Sequence, residues 1–218
     1  MYTYYKCLPA KPSFNTMHIS NIHSDDISPR NRILLNAETL IVRRGYHATG
    51  VNEILSVSGV SKGSFYYYFP SKEALLSEVL ISYFENHIRC LNQSLTCSIR
   101  ADERILRYFH HWQVSQQNAV HYQTSLMVML SAEVAGLSEA IAEIYHQNIQ
   151  SIVARLAVVI NQGKREGSIV SMLESMQLAR SLLNMWLGAA LMVKINKRTT
   201  EFDSTLKITH SLIYSRFY

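Results

Sequence analysis

None of the four prolines in this 218-residue chain lies after Pro70, and this distribution constrains the fold more than any other feature. Proline breaks helices, so a region without it permits long, uninterrupted helices. Apolar residues recur there with helical spacing, and no segment shows the alternation that is typical of a half-buried strand. The sequence therefore predicts an all-α protein, with long helices near 71–97, 102–118, 124–135, 138–164, 174–195 and 203–216.

A different pattern precedes Pro29. Residues 1–28 are rich in Asn, Ser, His and Asp and show no sustained periodicity, which predicts a flexible N-terminal extension with Met17 as an alternative start. Helical spacing begins at Pro29, a residue favoured at the first position of a helix, and Ser28 before it can act as the N-cap. Gly45 is a natural end for this first helix.

Two short helices are predicted next, at about 51–58 and 62–68, with a glycine-containing turn at 58–61. Two short helices joined by such a turn form a helix-turn-helix. Phe65 and Phe69 are four residues apart and are expected to face inward. The apolar residues expected to hold the two helices together are Val51, Ile54, Leu55, Val57 and Val60.

The basic residues of the chain concentrate around this motif. The whole chain has 21 Lys and Arg against 16 Asp and Glu, whereas residues 29–72 alone have six basic residues against two acidic ones. A local basic excess favours a polyanionic partner, most often nucleic acid. The outward face of the third helix begins with small Gly63 and Ser64 and continues with Tyr66 and Tyr67. Such a face allows close approach to a base edge or a phosphate.

Residues 45–76 resemble the N-terminal domain of TetR-family transcription regulators, above all in the Gly-Val-Ser-Lys-Gly-Ser-Phe-Tyr-Tyr-Tyr-Phe-Pro-Ser-Lys-Glu segment at 59–73. The resemblance implies a three-helix DNA-binding domain at 29–72, followed at 73–218 by a larger helical domain for ligand binding and dimerisation. It implies a homodimer that binds double-stranded DNA at a palindromic operator and releases it when a small-molecule effector binds. The DNA-binding residues that it implies are Thr49, Gly50, Val51, Lys62, Gly63, Ser64, Tyr66, Tyr67, Tyr68 and Lys72.

Two further segments, 130–138 and 185–194, are similar to the NemR-like subgroup of that family, which represses genes for detoxifying reactive electrophiles. Members of the subgroup tend to carry a cysteine where this chain has Ser125, so thiol sensing is not expected at that position. Cys90 and Cys97 could substitute in principle, but free cysteines are more often inert core residues, and we predict no redox sensing.

The long helices offer candidates for an effector pocket and for a dimer interface. Aromatic residues and methionine suit an adaptable apolar pocket, although each of them taken singly is more often an ordinary core residue, and the family resemblance is what favours a pocket for the group. The candidate pocket residues are Tyr108, Trp112, Tyr122, Met127, Tyr145 and Trp186. A broad apolar face on the last two helices could pack within one subunit or across a two-fold axis. The candidate interface residues are Leu182, Met185, Ala189, Val193, Leu206 and Ile213.

Other protein classes receive less support from the sequence. No phosphate-binding loop, nucleophile elbow, acid pair or metal-ligand spacing occurs, so we expect no enzyme, cofactor or metal. The longest nearly apolar stretch, residues 182–193, has 12 residues, too few to span a membrane. A cytoplasmic, ligand-responsive repressor is the prediction. The alternatives are an activator of the same fold, or an all-helical small-molecule-binding protein or enzyme with a structural helix-turn-helix.

Overall fold

A computed structural model describes residues 28–117 and 126–215 of the chain. All the regular secondary structure within these residues is helical, which confirms the all-α prediction. The predicted extension before residue 28, together with Tyr122 and Ser125, lies outside the described residues. The helices are α1 (Pro29–Arg44), α2 (Val51–Ser58), α3 (Lys62–Tyr68), α4 (Lys72–Leu95), α5 (Ala101–Gln117), α6 (Leu126–Ser131), α7 (Glu139–Glu166), α8 (Ser175–Asn196) and α9 (Thr200–Tyr214).

Serine side chains begin several of these helices. The Ser28 hydroxyl accepts a hydrogen bond from the Asn31 amide at 3.3 Å, and the Ser71 hydroxyl accepts one from Ala74 at 3.0 Å. Such bonds satisfy amide groups that have no partner inside the first turn of a helix. Gly59 ends α2 with φ +62°, a left-handed conformation that glycine adopts without strain, and so allows the tight turn into α3.

The body of the molecule is built on α4, α5, α7, α8 and α9. Helix α7 packs against α4, α5 and α8, and α9 packs against α5 and α8. Its interior contains a run of stacked rings, in which Trp186 lies 4.9 Å from Phe109 and 5.7 Å from Phe202 between ring centroids. Helix α4 also packs against α1, so it is shared between the body and the first three helices.

Helix α6 is shorter than predicted. The sequence predicted one helix over 124–135, whereas α6 ends at Ser131 and a separate 3-10 turn covers Val134–Gly136. Leu126, Met127, Val128 and Leu130 of α6 are buried. The helix packs against α8 on the body and against α1 of the N-terminal three-helix unit, so it forms a second connection between them.

Helix α8 is long and apolar enough to cross a membrane by length and composition alone. The nearly uninterrupted apolar stretch at 182–193 is only part of this helix, so its 12 residues understate the apolar length of α8. In the fold, eight residues of α8 are buried, and the helix packs between α7 and α9. The helix is therefore buried along one side and exposed along the other, and Arg180 and Lys194 interrupt its apolar character.

Candidate nucleic-acid interface

The interior of the three-helix unit is formed by residues that the sequence places inward. Phe65 and Phe69 of the α3 region are fully buried, as predicted, and their ring centroids lie 5.9 Å apart. Ile54 of α2 is also fully buried, and Val51, Leu55 and Val60 pack against the core. The prediction for Val57 was wrong, because its side chain is 51% exposed. The last turn of α2 therefore presents this valine to solvent instead of to α3.

The opposite face of α3 is open to solvent. Tyr67 is 82% exposed and Tyr66 is 47% exposed, while Lys62 and Gly63 at the start of the helix are also exposed. Tyr68 is half-buried and its ring lies 5.0 Å from that of Tyr67 in an edge-to-face arrangement. The helix thus has a buried side formed by phenylalanines and an exposed side formed by small residues and tyrosines. The exposed side of α3 has the character that a helix in the major groove needs.

The start of α3 is fixed by its cap. The Ser61 hydroxyl accepts a hydrogen bond from the Ser64 amide at 3.1 Å. The Ser64 side chain is half-buried, and a Cβ atom added at Gly63 would come no closer than 3.8 Å to Ser61 Oγ. The backbone at Gly63 is therefore not covered by neighbouring side chains.

The start of α2 differs from that of α3. Its N-cap, Gly50, is exposed and makes no side-chain hydrogen bond to the first amide groups of α2. Amide groups at the start of a helix that lack such a cap are a common binding site for anions. Val51 follows as the first helical residue and is half-buried. Thr49 is fully buried, and its hydroxyl donates a hydrogen bond to the Gly45 carbonyl at 2.7 Å. The side chain of Thr49 therefore orders the turn and does not reach the surface.

Lys72 was predicted to face a phosphate, but its side chain is turned inward. Its Nζ donates a hydrogen bond to the Tyr46 carbonyl at 2.7 Å and lies 4.0 Å from the centroid of the Tyr46 ring. Burial lowers the pKa of Lys72, and the nearby charge of Glu133 opposes that shift. In this conformation Lys72 stabilises the turn between α1 and α2.

Some of the positive charge around the motif is neutralised locally. Arg30 of α1 forms an ion pair with Glu78 of α4, and Arg44 forms one with Glu53 of α2, with 2.5 Å between Nη1 and Oε1. Arg43 and Lys62 are exposed. Glu53 is already included in the count over residues 29–72, whereas Glu78 lies outside that range. The Arg30–Glu78 pair therefore lowers the local basic excess by one charge.

One functional candidate was missed by sequence reasoning. The carboxylate of Glu133, just after α6, accepts a hydrogen bond from the Tyr46 amide at 2.9 Å and another from the His47 amide at 3.2 Å. It therefore joins the body to the turn between α1 and α2. Glu133 belongs to the 130–138 segment, which is similar to the NemR-like subgroup. No local sequence pattern indicates that its partner is the His47 amide, 86 residues earlier in the chain.

All the predicted pocket residues except Tyr122 lie among the residues that the structure describes. Tyr108, Trp112, Met127 and Trp186 are buried, and Tyr145 is half-buried. The Tyr145 hydroxyl donates to the Met127 carbonyl at 2.8 Å, and ring contacts connect Trp112 with both Tyr108 and Trp186. Their grouping fits a pocket wall and an ordinary core equally well, so the pocket stays a prediction.

A buried histidine lies next to this region. His87 of α4 is enclosed by the fold, and its Nε2 lies 3.0 Å from the Tyr108 hydroxyl oxygen. Burial lowers the pKa of His87 to about 4 and raises the pKa values of the Tyr108 and Tyr145 hydroxyls. All three groups are therefore neutral near pH 7, and this part of the interior carries hydrogen-bonding groups without charge.

The residues predicted for the dimer interface pack within one subunit, which is one of the two possibilities that their apolar pattern allows. Leu182, Ala189, Val193 and Ile213 are buried within the single subunit, and Met185 and Leu206 are half-buried against the same core. A helical pattern shows that a face is apolar but not which neighbour covers it. The exposed residues at helical spacing on the outer sides of α8 and α9, here called the outer face, are Ser181, Asn184, Gly188, Leu191, Ile195, Ser204, Ile208 and Ser211.

The remaining candidates concern cysteine and metal chemistry. Burial raises the pKa of the Cys90 thiol, with the nearby charge of Arg89 opposing the shift, and this disfavours a reactive thiolate. The Cys97 sulfur accepts a contact from Arg107 Nη1 at 3.7 Å. Among residues 28–117 and 126–215, no group of three or more His, Cys, Asp or Glu side chains could hold a metal ion.

A three-helix unit whose last helix exposes small residues and tyrosines, attached to a separate helical body, defines a helix-turn-helix DNA-binding protein. Comparison with known proteins narrows this class. Residues 33–79 match the family described as bacterial regulatory proteins, tetR family. The chain belongs to the TetR family of transcriptional regulators.

Full-length relatives agree with this assignment. The chain is 32% identical over 191 residues to the HTH-type transcriptional repressor NemR of Escherichia coli (strain K12), covering 84% of this chain and 93% of NemR. It is 28% identical to the HTH-type transcriptional repressor DhaR of Mycobacterium sp. (strain GP1), covering 82% and 89% of the two chains. The crystal structure of reduced E. coli NemR superposes with a TM-score of 0.78 at 29% identity, covering 88% of this chain and 100% of that one.

Proposed function

We propose that this protein is a cytoplasmic transcriptional repressor that binds a palindromic operator as a homodimer and releases it when a small-molecule effector binds in the body. The observation that carries the proposal is the exposed face of α3, where Tyr67 is 82% exposed above a buried phenylalanine face. Two relatives that match over most of their length, NemR and DhaR, are named transcriptional repressors, and this favours repression over activation.

In this proposal α3 enters the major groove, and the start of α2 binds a DNA phosphate through its backbone amides. Tyr66 and Tyr67 contact base edges or phosphates through their hydroxyls, and Tyr68 supports Tyr67 from the side. Gly63 and Ser64 let the backbone approach the DNA closely. Lys62 supplies a phosphate contact, and Lys72 acts mainly through the turn that it stabilises.

The effector site is proposed within the aromatic region around Tyr108, Trp112, Met127, Tyr145 and Trp186. Buried rings and neutral hydrogen-bonding groups suit an uncharged aromatic or otherwise apolar compound, because burying an unpaired charge there would be costly. Effector binding shifts α4, which contacts both the body and α1. Only a few kcal/mol of differential affinity between two states is needed to release the operator.

Dimerisation is proposed through the outer face of α8 and α9. Small residues such as Gly188, Ser181 and Ser204 permit close helix approach, and exposed Leu191, Ile195 and Ile208 add apolar area. Two copies of these helices would form a four-helix bundle around a two-fold axis. The two copies of α3 would then face successive major grooves of one operator.

The test starts by selecting duplexes from a random-sequence DNA library with the full-length protein. We expect enrichment of a palindrome. We expect Tyr67→Ala to weaken binding to that palindrome about tenfold or more, as for loss of a direct DNA contact. Tyr67→Phe distinguishes the hydroxyl from the ring, and Lys62→Ala is expected to reduce the dependence of affinity on salt by about one phosphate contact. Failure to enrich any sequence would contradict the proposed function, whereas unchanged affinity in Tyr67→Ala would contradict only the site.

A further inference from the structure

We infer that Glu133 is a positioning residue for operator binding: its carboxylate holds the turn between α1 and α2, and so sets where the helix-turn-helix lies relative to the body. This inference rests on the proposed function. In this inference, the side chain of Glu133 is the contact through which a movement of α6 reaches the three-helix unit.

The contact is made to backbone and not to side chains. One carboxylate oxygen of Glu133 accepts hydrogen bonds from the Tyr46 amide at 2.9 Å and the His47 amide at 3.2 Å, and the other oxygen lies 3.2 Å from the Tyr46 nitrogen. Hydrogen bonds to a carboxylate are stronger than those between neutral groups. Two such bonds to consecutive amides fix both the distance and the orientation of the turn.

The turn is shaped to receive the carboxylate. Gly45 has φ +88°, and a Cβ atom at this position would collide with the carboxylate of Glu133. The Tyr46 carbonyl belongs to the same peptide group as the His47 amide. This carbonyl accepts a hydrogen bond from Lys72 Nζ at 2.7 Å. An acidic group thus holds the amide side of the turn while a basic group holds the carbonyl side. The two groups also attract each other electrostatically.

The other end of this connection reaches the interior of the body. Glu133 follows α6, whose apolar residues are buried, and α6 packs against both α1 and α8. The carbonyl of Met127 on α6 accepts a hydrogen bond from the Tyr145 hydroxyl at 2.8 Å. Tyr145 also contacts Phe84 of α4, with 5.7 Å between ring centroids. A displacement of α6 by a bound effector would therefore move the turn or break its two hydrogen bonds.

The turn leads directly into the proposed phosphate site. The Thr49 hydroxyl bonds back to the Gly45 carbonyl, and Gly50 then forms the N-cap of α2. The Glu133 contact therefore lies a few residues before the amides that would face the phosphate. Loss of the contact leaves α2 and α3 folded on their own core but free to change orientation. Operator affinity then falls because both copies of α3 must be positioned at once.

The decisive experiment compares Glu133→Ala with Glu139→Ala in the full-length protein, using the selected operator duplex and a shuffled duplex of the same length. Glu139 is exposed at the start of α7. Its replacement by alanine removes the same charge as Glu133→Ala but leaves the turn between α1 and α2 unchanged. Removal of a negative charge alone strengthens binding to DNA. We expect Glu139→Ala to show that small gain on both duplexes, and Glu133→Ala to lose about tenfold affinity for the operator only, as for loss of a charged hydrogen bond.

Two further measurements separate positioning from simple loss of stability. Hydrogen exchange at the Tyr46 and His47 amides should become at least about tenfold faster in Glu133→Ala, while exchange within α3 stays unchanged. Glu133→Gln keeps an acceptor oxygen and should restore most of the operator affinity. Operator affinity and amide exchange equal to the wild type in Glu133→Ala would overturn the inference. Absence of operator binding by the wild-type protein would instead contradict the proposed function.

Discussion

His87 shows how one buried residue can link stability to pH. Its imidazole is enclosed between α4 and α5, where Tyr108 lies 3.0 Å from Nε2 and the Tyr83 ring stacks at 6.1 Å between centroids. Burial lowers the pKa of His87 to about 4, against an ordinary value of 6.5. The unfolded chain therefore binds a proton at His87 over a pH range in which the folded chain does not.

We predict that the free energy of unfolding falls as pH drops from 6.5 toward about 4, and that the His87 contribution is fully retained above 6.5. The loss attributable to His87 is about 3 kcal/mol, from the size of the pKa difference. Urea unfolding of wild type and His87→Gln across this pH range measures it. The stability advantage of wild type over the variant should shrink toward low pH. A constant difference would contradict the prediction.

Residue-scale predictions from sequence succeeded where local spacing decides orientation. The i and i+4 spacing of Phe65 and Phe69 correctly placed both rings inside, and the same spacing placed Tyr67 outside. Lys72 and Glu133 could not be placed in this way. Their partners, Tyr46 and the turn around it, lie 26 or more residues away in sequence, so their positions depend on how separate elements pack.

At the scale of elements, α3 depends strongly on its caps because it has only seven residues. Isolated helices of this length are unstable in water. The Ser61 hydroxyl bonds the Ser64 amide at 3.1 Å, and burial of Phe65 supplies packing against the rest of the unit. The cap and the buried ring therefore act together to hold the exposed face in place.

We predict that Ser61→Ala lowers the stability of the three-helix unit by about 1 kcal/mol, the usual effect of losing an N-cap. Thermal unfolding followed by circular dichroism measures the change. Ser61→Asp is the matched variant, because aspartate also caps helices and should restore most of the lost stability. Equal stability of the alanine and aspartate variants would show that the cap contributes little here.

Most helix bounds could be predicted because caps and breakers are local. Ser28 with Pro29, Gly59 and Ser71 mark ends that the structure places within a few residues of the prediction. Helix α6 was predicted too long, since the apolar run continues beyond Ser131 although the chain turns there. The inward packing of α8 could not be predicted either, because its apolar pattern is compatible with a partner in the same subunit or in another.

At the scale of the whole molecule, the outer face and the inner face of α8 have separate roles. The inner face is buried by α7 and α9 in one subunit, and the outer face is the surface through which we propose that a second copy binds. Ile195 is 62% exposed on that face, and Val158 of α7 is 68% exposed elsewhere. The two residues are similar in chemistry and exposure, so they form a matched pair for testing dimerisation.

We predict that Ile195→Asp shifts the protein from dimer to monomer in sedimentation velocity, because a charge would be buried at the interface. Operator affinity should fall sharply in the same variant, since two half-sites can no longer be bound by one particle. Val158→Asp should remain a dimer with unchanged affinity. Monomerisation by both substitutions, or by neither, would exclude the outer face as the specific interface.

The stacked rings of the body also have a spectroscopic consequence. The chain has two tryptophans, Trp112 and Trp186, and their ring centroids lie 6.2 Å apart in the interior of the body. The three-helix unit contains no tryptophan. Tryptophan emission therefore reports on the body alone and does not respond to direct contact between the three-helix unit and DNA bases. Any change in that emission on addition of operator DNA would measure, without a label, communication between the two parts of the molecule.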